Sequence, residues 1–83
     1  MDLIQTFCEI QDPETMNTFF DEIFTPAEKH DLLMRWKLMT LLKEGMTQRN
    51  IARELHISLC KITRGAKIIK NDDSVTNQFI MND

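Results

Sequence analysis

All ten Lys and Arg residues of this chain lie between Lys29 and Lys70, and that stretch contains only three acids. Residues 1–28 carry seven acids and no base, and residues 71–83 carry three acids and no base. The overall charge of −3 is therefore the sum of a +7 middle and ends totalling −10. A basic block of this kind can meet a polyanion even when the whole chain is acidic, provided only the basic face docks. The block is densest from residue 47 to 70, with six bases and one acid. Lys and Arg at this density suit phosphate oxygens. An Arg fork also pairs with a carboxylate, and its plane stacks on an aromatic ring.

Other chemistry finds little support. His56 and Cys60 have a spacing that can chelate a metal on a helix, but His56 falls in a turn and no second close pair exists, so no metal site is expected. Asp72-Asp73 reads as a solvated turn. No Gly-rich elbow accompanies a Ser or Cys nucleophile, so no catalytic residue and no enzyme activity is expected. Two distant cysteines, Cys8 and Cys60, fit reduced thiols in a cytoplasmic protein. Asp2 and Glu9 stand where a signal peptide needs a basic start and an apolar run. The apolar-rich stretch Leu32 to Leu42 is too short to span a bilayer and is interrupted by Arg35 and Lys37, so no membrane partner is expected.

The elements that must carry the basic block are helices. Gly and Pro number two each, too few for a many-turned β-fold. Leu3, Ile4, Phe7 and Ile10 keep helical spacing. Asp12-Pro13-Glu14 starts a second helix, whose stripe is Met16, Phe19, Phe20, Ile23 and Phe24. Thr25-Pro26-Ala27-Glu28 is a capping box opening a helix from about Pro26 to Glu44, with Gly45 as its stop. That helix is apolar on most of its circumference and needs cover on two sides, by its own domain and by a second copy of the chain. Thr47 caps Gln48 to Leu55, His56-Ile57 breaks the chain, and Ser58 caps Leu59 to about Lys70. A last short helix, Val75 to Met81, starts at Asp73 or Ser74 and places Val75, Phe79 and Ile80 on one side. The six Met residues read as core filler rather than an adaptable binding surface. With 42% hydrophobic and 28% charged residues the chain is globular, and 83 residues make one small domain. Such a domain buries about 60–65% of its unfolded surface, a second reason to expect a dimer.

Residues 48–65 have the layout of a helix-turn-helix. Ile51, Leu55, Ile57 and Ile62 supply its core, Ala52 allows close approach, and His56 takes the left-handed turn position. Ser58, Leu59, Cys60, Lys61 and Thr63 then fall at the start of the helix that enters a major groove, with Arg49, Arg53, Lys67 and Lys70 flanking it towards phosphates. A plain helical hairpin with a solvated basic face has the same pattern. On the residues alone, Arg64 reads as a phosphate contact and Arg35 as a surface ion pair.

The segment Phe24 to Lys70 resembles the tryptophan operon repressor family. The matching blocks are Thr25-Pro26 before an acidic helix start, Arg35 before an apolar run, Leu41-Leu42-Lys43-Glu44-Gly45, Met46-Thr47-Gln48-Arg49 and Ile62-Thr63-Arg64-Gly65. The resemblance implies an all-α chain of about six helices, with a helix-turn-helix reading head on an intertwined homodimeric body. Residues 1–45 would form the dimerisation helices, 47–70 the head and 71–83 a C-terminal helix. It implies a transcriptional repressor of tryptophan metabolism genes, with a palindromic double-stranded operator as partner and L-tryptophan as corepressor in place of any cofactor. Arg35 and Arg64 would flank the indole, and Arg64 would pair with the carboxylate. The backbone around Glu22 to Phe24 would receive the amino group, with Thr25 beside it. Met39 would line the floor, and Gly65 would leave room for the ring. Ile68 stands where the family usually carries Ser near the ammonium group. Lys61 replaces a small residue and is suited to direct contact with guanine. The alternatives are a ligand-independent DNA binder of the same build, and a helical protein-interaction module whose basic face meets an acidic partner.

Overall fold

Six helices follow one another along the chain, and each begins or ends for a reason visible in its residues. A computed structural model of the chain describes residues 1–81. Its helices are α1 (Leu3–Glu9), α2 (Pro13–Ile23), α3 (Pro26–Lys43), α4 (Gln48–Leu55), α5 (Leu59–Lys70) and α6 (Val75–Met81), and there is no strand among the described residues. The C-terminal segment expected over 71–83 includes Asn82 and Asp83, which lie outside the described residues.

The chain divides into two units, Met1–Asp31 and a second beginning at Leu32. In the first, the Asp2 side chain accepts from the Gln5 N–H at 2.8 Å, and the Asp2 N–H donates back to Gln5, closing a capping box on α1. Asp12 caps α2 by accepting from the Thr15 N–H at 2.8 Å. Hydrogen bonding from Thr15, its hydroxyl ahead of its N–H, holds the Asp12 carboxyl below the usual range. The stripe on α2 finds its partner in α1: Phe7 meets Phe19 and Phe20 edge-on, with ring centroids 5.3 and 5.9 Å apart. Ile23 stays exposed.

At the start of α3, Thr25 and Glu28 exchange bonds. The Thr25 N–H donates to Glu28 at 2.9 Å, and the Glu28 N–H donates to the Thr25 hydroxyl at 3.2 Å. The backbone bond from Thr25, ahead of its side chain, pulls the Glu28 carboxyl below the usual range. Lys29 pairs with Asp21.

The second unit is built on Leu38, Ile51 and Ile62, each almost wholly buried, with Met39, Leu41, Leu42, Met46, Ala52, Leu55 and Ile57 packed around them. Helix α3 ends one residue earlier than expected. Gly45 takes φ 98°, its N–H donates to the Leu42 carbonyl at 3.0 Å, and the Met46 N–H donates to the Leu41 carbonyl at 3.1 Å. This is a Schellman stop, and it turns the chain into the Thr47 cap of α4. His56 occupies the left-handed region at φ 56°, as the sequence requires of the turn.

Helix α6 departs from the expected side. Ser74 is its cap, but Val75 and Phe79 are exposed, and Ile80 is buried together with Asn77. The Asn77 amide explains the rotation. Its Nδ2 donates to the carbonyls of Ile69 at 2.8 Å and Asn71 at 3.3 Å, and its Oδ1 accepts from the Lys43 ammonium at 2.9 Å. One buried polar side chain thus satisfies the end of α5 and ties it to both α3 and α6.

Candidate nucleic-acid interface and effector cavity

The α4–α5 pair is held by the shared apolar core and by a bond across it. The Thr63 hydroxyl donates to the Gln48 side-chain oxygen at 3.3 Å. Ser58 caps α5 weakly, accepting from the Lys61 N–H at 3.4 Å. With Ile51 and Ile62 facing inward, the polar faces of both helices turn out. Arg49, Arg53, Ser58, Leu59, Cys60, Lys61, Thr63, Lys67 and Lys70 are all exposed. Leu59 is notable, an aliphatic residue left 49% exposed at the first position of α5. Cations and small readers on one short helix pair, with an apolar side chain at its tip, can meet phosphates, base edges and a thymine methyl group.

Beside this head lies a cavity of about 300 Å³, between the face of α3 bearing Arg35, Leu38 and Met39 and the face of α5 bearing Lys61, Arg64, Gly65 and Ile68. Each set follows helical i, i+3, i+4 spacing, so each lines up on one face. The structure therefore brings together Arg35, Met39, Arg64 and Gly65. Phe24 and Thr25 belong to the other unit, where Phe24 packs on Phe20 with centroids 5.1 Å apart and Thr25 caps α3. Gly65 is buried because α3 approaches it closely. A Cβ placed there would lie 2.4 Å from Leu38 Cδ1 and 3.3 Å from Met39 Cγ. The room this glycine leaves is taken by Leu38.

Two lining residues are not marked as cavity residues by the sequence, Leu38 and Lys61, whereas Ile68, which the resemblance sets near the ammonium group, does line the cavity. The signal was present. Lys61, Arg64, Gly65 and Ile68 fall at i, i+3, i+4 and i+7, so a residue sharing the face of Arg64 shares its cavity. Lys61 was read only as a DNA contact because it sits near the start of α5. In the fold it stands in the first turn of α5 and also lines the cavity.

Residues 1–82 match the family described as Trp repressor protein. A Trp operon repressor homolog of Chlamydia caviae is 32% identical over 82 residues, covering 98% of this chain and 81% of the relative. One of Xylella fastidiosa is 32% identical over 72 residues, covering 86% and 78%. One of Chlamydia trachomatis is 30% identical over 77 residues, covering 90% and 82%. No solved structure matches the chain significantly. The all-helical build, the capped helix pair and the match along nearly the whole sequence lead to one conclusion: the chain belongs to the Trp repressor family.

Proposed function

We propose that this protein is a sequence-specific DNA-binding transcriptional repressor of tryptophan metabolism genes, acting in the cytoplasm as a homodimer with L-tryptophan as corepressor. The observation that carries the reading is the outward face of α4–α5, where eight exposed polar, cationic and small side chains and the apolar Leu59 surround a core too well buried to take part. Arg49, Arg53, Lys67 and Lys70 meet phosphates. Ser58, Leu59, Cys60, Lys61 and Thr63 face base edges in the major groove. The names of the relatives support the operon, and the family is one of regulators rather than enzymes.

Residues 1–45 form the dimerisation body, and residues 47–70 form the head. Exposed Leu3, Ile4, Ile23, Leu33 and Trp36 are the apolar surface that a second copy covers. A two-fold dimer presents two heads and so reads a palindrome. In the cavity Arg35 and Arg64 flank the indole, and Arg64 takes the carboxylate. Met39 lines the floor beside Gly65.

Selection of duplexes from a random pool, with and without L-tryptophan, tests the whole reading. The expected result is a palindrome recovered more strongly with tryptophan. Recovery of a palindrome that ignores tryptophan supports the ligand-independent alternative. Duplex binding with no sequence preference and little salt dependence supports a protein-interaction module. Arg64→Ala should abolish the tryptophan response. Arg49→Ala should weaken all duplexes alike and lower the salt slope by about 1.

A further inference from the structure

The α4–α5 pair is held on its unit by an apolar core, built on Leu38 of α3, Ile51 of α4 and Ile62 of α5. Contacts of this kind are non-directional, so they resist separation of helices more than rotation of one past another. Ile69 is seven residues past Ile62 on α5. At the helical rise that is about 10 Å from the core. The end of α5 is therefore the long arm of any rotation, and Lys67 and Lys70 stand on it.

Directional bonds appear at this arm and converge on one side chain. Asn77 of α6 is 3% exposed, and its Nδ2 donates to the carbonyls of Ile69 and Asn71. The Ile69 carbonyl is among the last four of α5, which have no partner inside the helix. Asn77 Oδ1 accepts from the ammonium of Lys43, the last residue of α3. Lys43 precedes the head and Ile69 closes it, so one amide joins the chain entering the head to the chain leaving it. Apolar packing adds less to α6, because Val75 and Phe79 are exposed and Ile80 is buried.

We propose that Asn77 is a positioning residue for DNA reading, holding α5 at a fixed rotation on α3 through Lys43 while touching no part of the duplex. The inference rests on the reading of α4–α5 as a DNA-binding head and goes beyond it by giving α6 a part in operator affinity. A primary amide suits the task, since it supplies two donors for the carbonyls and an acceptor for the ammonium at once. Without it α5 stays folded on Ile62, but its far end swings. Lys67 and Lys70 can still reach phosphates, yet each complex must first fix the rotation, so the missing order is charged against binding. Random DNA is held by charge without a fixed register and is indifferent to that order.

Fluorescence anisotropy titrations of the full-length protein test this with two duplexes over a range of salt. One is the palindrome recovered by selection, under the conditions of its recovery, and the other is a scrambled duplex of the same composition. Asn77→Ala should lose about tenfold in affinity for the palindrome and stay within about twofold on the scrambled duplex. Its salt slope on the palindrome should match that of the unaltered protein, because no phosphate contact is removed. Lys43→Met, a change at an exposed stem that leaves the core intact, should weaken the palindrome in the same way with the same slope, and Lys43→Arg should restore binding. A purely structural role leaves the affinity of the folded variants unchanged, and that result overturns the proposal. So does an equal loss on both duplexes, or a slope lowered by about 1 in Lys43→Met, which makes Lys43 a phosphate contact. If the unaltered protein prefers the palindrome and the variants bind it equally well, the proposal alone falls. If the unaltered protein prefers no sequence, the DNA-binding reading falls with it.

Discussion

Replacing Gly65 by Ala adds one methyl group where α5 passes α3. The new Cβ would stand 2.4 Å from Leu38 Cδ1, and carbon atoms settle at about 3.5–4.0 Å, so something must move by roughly 1 Å. Leu38 is 2% exposed and packed against Ile51 and Ile62, which closes the route into the core. The open route is into the cavity that Leu38 already lines. Overpacking of this kind costs about 1–3 kcal/mol. Alanine in a helix interior returns about 1 kcal/mol relative to glycine. The expected net loss is about 1 kcal/mol, read by urea unfolding at fixed protein concentration. The displaced leucine also occupies ligand space, so tryptophan affinity should fall by about tenfold, equivalent to about 1.4 kcal/mol. A variant stabilised by the full helix-propensity gain, with ligand binding unchanged, would refute the close approach of the two helices at this glycine.

The other expectations concern the scaffold. His56→Gly should raise the thermal midpoint by an amount worth about 0.5 kcal/mol, because relief of the left-handed strain exceeds glycine's greater unfolded freedom; a lower midpoint would contradict the strain assigned to that turn. Ile62→Ala should cost about 2–5 kcal/mol and melt the α4–α5 pair, seen as lost amide protection in both helices at once. Asn77→Ala strands the Ile69 carbonyl, while the Asn71 carbonyl keeps the Ser74 N–H, and should cost about 1–3 kcal/mol, with hydrogen exchange in α6 accelerating before that in α4. Asp12 and Glu28 have carboxyl pKa values lowered by folding, so their contribution is present above the unfolded carboxylate range and is lost as pH falls through their folded values. The amide signals of Thr15 and Thr25 should report those transitions, at a pH below that of an unstructured carboxylate; a transition at the ordinary value would contradict the caps.

Helix boundaries were legible because their causes are local. Thr25 with Glu28, Thr47, Ser58 and Gly45 act on backbone groups three or four residues away, a range that a one-dimensional pattern contains. The left-handed turn at His56 and the burial of Ile51 and Ile62 followed from the same helix-turn-helix spacing. The side of α6 was not legible. Apolar spacing favoured Val75 and Phe79, but the decision lay with Asn77, whose partners Lys43 and Ile69 are 34 and 8 residues away. Gly65 could be marked as special, yet only the packed helices show that Leu38 fills its space. Lys61 divides the two levels most sharply. Its place near the start of a basic helix is a property of the sequence, and that alone marks it for a polyanion. That it also lines a cavity depends on how α5 packs against α3, which turns one face of that helix over the cavity. Periodicity determines which residues share a face, and tertiary packing decides what that face meets.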